Sequence, residues 1–541
     1  MTSAAMAVFP CGVASGEPGP HGIVLWTCLG PGAVDGGTDV PVGYEIAADP
    51  GFRDVRVRGE TATHAGRDWT VRVVVDDPAL EPFSTYYYRF TAAGATSRPG
   101  RFRTLPDPDA RPERVRIAFL SCQDYTNGYY TALAHLARED VDYVLHLGDY
   151  IYETTADPSF QSGQVRALRL PGRRIRAQTL ADYRYLYRAY KRDPYLQRLH
   201  EAFACWHCWD DHEFANDSYG VYDTDTRDER LNYSPARRLA ASQAWHEYLP
   251  TRLEFTPERG PLDALRVYRS VRIGDLVELV ITDERLYRDG PPCGLGTFDR
   301  YLTPGCPARL DKRRTILGPV QREWFVETVT RSTRVWKIWA NQVMCMQLKL
   351  STDSVRGLFP WLPHLDLYVN LDQWDGFPAE RERVLRAIER AGVTDFVVLT
   401  GDIHSFGAGY LRADFDDPAS PALGVGLIGG SVTSANFVEM LTFGFGGVLV
   451  PPEAELTPAL VRSNPHLKYF NSAAHGYVVL DITRTGITAT MKAVDTIRAR
   501  AARLLTLREF WVPRGAARLV RTGEGVPEFG TDDPDLSPSA R

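Results

Sequence analysis

No stretch of this 541-residue chain is apolar for the roughly 20 residues that a helix needs to cross a bilayer, so no membrane span is expected. There is no excess of basic charge either. The net charge is −6, which leaves no general cationic surface for nucleic acid. The chain lacks internal repeats, beyond a Gly-Asp echo at two strand ends, and lacks low-complexity core segments. The opening Met1-Thr2-Ser3-Ala4-Ala5-Met6 has no basic region followed by an apolar core, so no signal peptide is read. That leaves either a mature or trimmed chain, or a protein that stays inside the cell. Cysteine is sparse, at eight residues, and does not decide the compartment. Cys293 and Cys306 sit in a Gly/Pro-rich loop, and pairing, which would favour an oxidising compartment, weighs equally with two free thiols.

What the chain does have is an ordinary globular composition, 44% hydrophobic and 24% charged, with an aromatic share of 11%. Its length allows two or more domains. Residues 7–106 read as a small all-β domain of fibronectin or immunoglobulin type, with short strands at 22–27, 42–47, 55–57, 70–75 and 86–91. The Pro/Asp-rich segment 104–109 reads as a linker. A catalytic domain is expected over 113–495, where strand-like runs alternate with helix-length segments. Its strands are expected at 115–120, 143–147, 202–206, 276–281, 335–339, 396–399 and 425–428, with later ones at 477–482 and 487–493. Residues 131–138 and the Tyr/Arg-rich 181–198 read as helices, and 284–318 as an irregular loop. Residues 496–505 read as a helix opening a C-terminal cap (496–521) that could act as a lid. The Pro/Asp/Gly/Ser-rich tail 522–541 reads as disordered.

The chemistry lies at the strand ends. The apolar run 143–147 is followed by Gly148-Asp149-Tyr150-Ile151-Tyr152-Glu153, and 396–399 by Thr400-Gly401-Asp402-Ile403-His404. Ligands of α/β sheets gather at carboxyl ends of strands, and the other ends are equally polar. They carry Ser121-Cys122-Gln123-Asp124, Trp209-Asp210-Asp211-His212-Glu213 with Asn216, Asp283-Glu284-Arg285 with Arg288, and Asn341-Gln342-Val343. Taken singly, Asp149 reads as readily as a turn former, and His404 as a satisfied core histidine. Six such ends together favour a metal site.

A phenolate such as Tyr152 suits a strong Lewis acid like Fe(III), because a phenol pKa of about 10 must be depressed. The oxygen-only donors Asp211, Asn216, Asn341 and Asp402 suit Ca, Mg or Mn. The residues therefore point to two or more ions bridged by Asp149, and to hydrolysis by a metal-bound hydroxide. Cys205-Trp206-His207-Cys208 has redox-motif spacing, but it falls on a buried strand, where the reading as ordinary core cysteines is preferred.

These motifs, with Gly12-Val13-Ala14-Ser15-Gly16-Glu17-Pro18 and Trp374-Asp375-Gly376-Phe377, occur in order over nearly the whole chain. The sequence resembles the PhoD-type alkaline phosphatases and phosphodiesterases, relatives of purple acid phosphatases. The resemblance implies a layered-sheet metallophosphoesterase core and metal-dependent hydrolysis of phosphate mono- or diesters. It implies Fe(III) on Cys122, Asp149, Tyr152 and His404. It also implies one or two Ca2+ on Asp149, Asp211, Asn341 and Asp402, with Asp210 and Asn216 in support. His212 would act as general acid or phosphate contact. Arg285 and Arg288 would stabilise phosphoryl charge, weighed equally against a structural ion pair with Asp283. Substrates of phospholipase D or teichoic-acid type, a specialised biosynthetic role, and export from the cytoplasm are also implied. The rival from another class is a binding protein with a structural metal site. Oligomeric state is left open. Family members carry a twin-arginine export signal, which is not found here. The segments Ser405-Phe406 and Gly429-Gly430-Ser431 depart from the family pattern beside the expected pocket.

Overall fold

The computed structural model of the chain describes residues 3–30, 33, 39–357, 361, 363–444, 453–523 and 531–532. Two mixed β-sheets lie face to face. In the first, parallel strands Arg114–Leu120, Tyr143–His146 and Ala204–His207 form the centre. In the second, the parallel strands are Val277–Ile281, Trp336–Ala340, Phe396–Thr400 and Gly424–Ile428. Ile117, Leu145 and Trp206 of the first sheet and Leu279, Ile338 and Val397 of the second share one buried core between them. The outer faces are covered too. Val144 and Leu120 pack with residues of helices Leu180–Lys191, Pro194–Ala202 and Pro235–Tyr248. Val280 and Val398 pack with those of Pro319–Arg331 and Pro378–Arg390. Strands buried on both faces read as continuous apolar runs, which is why their positions were visible in sequence. Trp206 is 1% exposed at the centre of the core; truncating such a residue costs about 3–5 kcal/mol.

The expected helix over 181–198 is two helices. Asp193 caps the second, its side chain accepting from the Tyr195 and Leu196 amides, and Pro194 starts it. The expected helix at 496–505 is not one. Asp495 and Arg503 close a turn through their backbones and side chains, and Leu504–Pro513 follows as a strand on Gly486–Val494. The C-terminal segment therefore extends the first sheet and is no helical lid.

The N-terminal region is also less separate than a sandwich domain would be. Val42, Ile46, Tyr88 and Phe102 of one small sheet enclose a core with Ile23, Leu25 and Val71. The sheet carrying the latter residues continues into the catalytic sheet, because Val13–Gly19 runs parallel to Ala204–His207, with Ser15 opposite Ala204. The strand Val13–Gly19 was not expected. The segment read as a linker is packed as well, with Leu105 buried and its N–H donated to the Gly19 carbonyl. Within 284–318 there is a short helix, Thr297–Arg300, and a strand, Tyr301–Thr303. Cys293 and Cys306 form a disulfide. Of the tail, Thr522, Gly523 and the Thr531–Asp532 pair are described, the pair lying against Phe470 and Tyr469; the remainder of the expected disorder lies outside the described residues. No described helix is long and apolar enough to cross a membrane.

Candidate metal centre

The loops after the parallel strands of both sheets converge, and they carry unusual backbone. Cys122, Asp149, Asp402 and His404 all have positive φ, between 51° and 59°. Each such non-glycine conformation costs on the order of 1–3 kcal/mol and persists only where its surroundings enforce it. Gly148, with φ 111°, cannot be replaced freely, since a Cβ there would stand 2.4 Å from the Asp210 Cβ. Glu213 binds the two loops together, accepting N–H groups of Asp149 (3.1 Å), Tyr150 (2.6 Å) and Asp210 (2.8 Å).

Four donors meet at one point. The ligand atoms of Cys122, Asp149 and His404 lie within 4.8 Å of one another. The Tyr152 hydroxyl is 3.1 Å from Asp149 Oδ2 and 3.3 Å from His404 Nε2. His404 is oriented by its other nitrogen, which donates to the Ala435 carbonyl at 2.6 Å. Burial, with the Asp149 charge beside them, pushes both the Cys122 thiol and the Tyr152 phenol well above their ordinary values. Burial holds the His404 imidazole at about 4, in its neutral, ligating form.

A second cluster adjoins the first through Asp149. Asp210, Asp211 and Asp402 bring carboxylate oxygens within 4.8 Å of one another, as do Asp149 and Asp211 with His212. Burial and Asp211 raise Asp149, and burial raises Asp402 to about 6. Asp211 is buried as well, yet Arg285, His212 and the Asp217 amide hold it at about 2.

The buried Arg285 guanidinium lies against this cluster, 2.5 Å from Asp210 Oδ1, 2.9 Å from Asp402 Oδ1, 3.6 Å from Asp211 Oδ1, and in contact with Asp372. Arg288 is 2.9 Å from the other Asp372 oxygen. The alternative partner Asp283 is not used for ion pairing by either; it accepts the Arg285 and Leu286 amides at 2.9 and 2.8 Å. Asp372, which joins the two arginines, was not anticipated from sequence.

His212 donates its Nδ1–H to Glu153 Oε2 at 2.7 Å, and its ring stacks on Tyr152 at 3.9 Å. Burial disfavours its charge, but Glu153, Asp211 and Asp149 outweigh that and raise it well above an ordinary imidazole. Asn216 enters through its backbone, donating N–H to Glu153 Oε1 at 2.9 Å. Asn341 is buried with its amide engaged at both ends: Oδ1 accepts from Trp374 Nε1 at 2.9 Å, and Nδ2 donates to the Val343 carbonyl. Asn341 would therefore have to share its Oδ1 with Trp374 to serve as a ligand, whereas the Asn216 contacts are made by its backbone.

The donor set suits cations. Among the described residues, Asp210 Oδ2 and Asp211 Oδ1 are buried without a hydrogen-bond partner, a costly state for carboxylates that an ion would relieve. Beside the cluster, Leu286 and Arg288 also line a cleft of about 700 Å³, walled by Tyr219, Tyr222, Tyr268 and Tyr287.

Known proteins share this arrangement of sequence and fold. The chain is 34% identical over 480 residues to alkaline phosphatase D of Bacillus subtilis (strain 168), covering 88% of this chain and 76% of that protein. A solved structure of PhoD superposes with a TM-score of 0.84 at 31% identity, covering 96% of this chain and 93% of the other. The PhoD-like phosphatase N-terminal domain matches residues 2–106, and the PhoD-like phosphatase domain matches 117–491. With its catalytic-domain match spanning most of the chain and its fold shared from end to end, this protein belongs to the PhoD-like phosphatase family.

Proposed function

We propose that the protein is a metal-dependent hydrolase of phosphate esters, and the observation that carries this reading is the meeting of Cys122, Asp149, Tyr152 and His404 beside the Asp210–Asp211–Asp402 carboxylates. The first group, with a thiol, a phenol and an imidazole, suits Fe(III). The second, all oxygen, suits Ca2+, with Asn216 and Asn341 as further oxygen donors and Asp149 between the two groups. When bound, such ions supply Lewis acidity, activating water and neutralising phosphoryl charge.

The chain's own groups do the rest. His212, held in its charged form by Glu153, can give a proton from Nε2 to a departing alkoxide. Arg285, whose guanidinium lies among carboxylates that would hold the ions, would supply donors to phosphoryl oxygens there. Arg288, tied to Asp372, acts at the boundary between this centre and the tyrosine-lined cleft.

The cleft favours a second reading within the same class. Its room and aromatic walls fit an ester with a bulky alcohol group, as in phosphodiesters of phospholipase D or teichoic-acid type. The N-terminal pair of sheets is read as fibronectin/immunoglobulin-like, and the disulfide supports an oxidising, exported setting.

The test is hydrolysis of 4-nitrophenyl phosphate and bis(4-nitrophenyl) phosphate by the purified chain, before and after stripping metal, with His404→Ala and Asp149→Ala alongside. Loss of both activities on stripping and in both variants is expected, and the ratio of the two rates ranks monoester against diester. Full activity in the stripped protein, or in either folded variant, overturns the reading.

A further inference from the structure

A second group of metal-type donors lies on the outer face of the first sheet, facing the helices. Cys205 and His207 are two apart on the strand Ala204–His207, so their side chains project to the same side. That strand pairs in parallel with Tyr143–His146, Cys205 opposite Val144 and His207 opposite His146. His200 comes down onto them from the helix Pro194–Ala202. All three are buried, with exposures of 4% for His200, 1% for Cys205 and 2% for His207.

The ligand atoms of His200, Cys205 and His207 lie within 4.8 Å of one another, and the Cys205 sulfur is 3.8 Å from His200 Nδ1. Around a bound ion such atoms stand about 3.3–3.8 Å apart, so a modest side-chain adjustment closes the set. The second nitrogen of His200 is held 2.8 Å from the Tyr150 hydroxyl. That is the outer-shell contact that fixes the orientation of a ligating imidazole.

The strongest sign is His207. Among the described residues, neither of its ring nitrogens has a hydrogen-bond partner, although the residue is buried. A buried imidazole with both nitrogens orphaned carries a desolvation cost that a bound ion would offset. Burial keeps the imidazoles of His200 and His207 neutral, which gives each one nitrogen lone pair to offer a metal. His146 stacks beside His207 at 6.2 Å between ring centres, and its Nε2 is likewise without a partner among the described residues.

We propose that His200, Cys205 and His207 form a second metal site, separate from the phosphoesterase centre, that takes one thiophilic d10 cation, Zn(II) or Cu(I). Thiolate and imidazole together select such ions over Ca2+, Mg2+ or Mn2+. On binding, the Cys205 S–H bond is replaced by a sulfur–metal bond and the proton leaves to solvent. His146 and the buried Lys191, which packs over Trp26 and Tyr150, complete the surroundings. Cys208, on the opposite side of the strand, packs in the core between the sheets and takes no part.

The test uses the full chain loaded in separate arms with Zn2+ or, under reducing anaerobic conditions, Cu+. Metal per chain is counted by mass spectrometry in wild type and in Cys205→Ser and His207→Gln. Each variant is expected to hold one equivalent fewer of zinc or of copper, with aryl phosphate hydrolysis within about twofold of wild type; whichever arm shows the loss identifies the ion. Equal metal content in folded wild type and Cys205→Ser, in both arms, overturns the proposal. Should those variants fail to fold, X-ray absorption of metal-loaded Cys122→Ser decides. One sulfur at about 2.3 Å together with two imidazole nitrogens at about 2.0–2.1 Å then reports the proposed set outside the phosphoesterase centre, and absence of that combination in both arms overturns the site.

Discussion

The Nδ1 atom of His212 sits 2.7 Å from Glu153 Oε2, and the same carboxylate accepts the Asn216 amide through its other oxygen. One buried glutamate thus sets the charge of the imidazole and anchors the loop beyond it. Glu153→Gln keeps the shape and removes the charge. The expected outcome is a fall in kcat of about 100-fold, as for loss of a positioned acid, with KM changed far less. Steady-state kinetics on an aryl phosphate measures it; an unchanged kcat removes His212 from the proton-donating role.

Tyr152 lies against Asp149 and His404. If a phenolate meets Fe(III) there, the purified protein is coloured by charge transfer. Tyr152→Phe is expected to abolish that visible band while the far-ultraviolet circular dichroism stays unchanged. A colourless, iron-free and fully active wild-type enzyme would refute the iron assignment.

Gly148→Ala places a methyl group 2.4 Å from the Asp210 Cβ, at φ 111°. Both the clash and the backbone strain are local to the two loops that Glu213 ties together. A loss of several kcal/mol is expected, on the order of the 1–3 kcal/mol of backbone strain plus overpacking of similar size. The urea midpoint and activity should fall together; wild-type values for both would show that the loops can separate without consequence.

Two buried histidines make the fold sensitive to acid. Burial holds His466 and His146 at about 3 in the folded protein, below the unfolded value. Their contribution is complete above about pH 6.5 and is lost as pH falls from there toward about 3, at up to about 1.4 kcal/mol per pH unit for each histidine. Urea midpoints between pH 7 and 5 should therefore decline. His466→Gln, which removes a ring bonded to the Gln347 carbonyl at 2.8 Å, should decline less steeply than wild type. Identical slopes would show that His466 takes no part in the acid response.

The sequence is most readable where burial is greatest. The runs ending at Leu147 and Leu399 are apolar without alternation because both faces of each sheet are covered, and the Gly-Asp pairs behind them mark the site directly. The segment after Asp495 misleads for the opposite reason. Its Ala, Arg and Leu favour a helix locally, but the edge of the Gly486–Val494 strand recruits Leu504–Pro513 into the sheet. Asp372 was invisible because its tie to Arg285 and Arg288 crosses the sequence between separate loops. Cys205 and Cys208 are both free and buried in the cores, as the apolar strand suggested. Strand alternation sets Cys205 with His207 and sends Cys208 to the other face, which a period-two reading of that strand contains.

The parallel pairing of Ser15 with Ala204 has a consequence for how the protein is made. The strand Val13–Gly19 leaves the ribosome long before its neighbour is synthesised, so one edge of the nascent N-terminal layer waits unpaired. Completing the first sheet therefore requires a contact between segments about 190 residues apart, the kind of non-local pairing that slows folding.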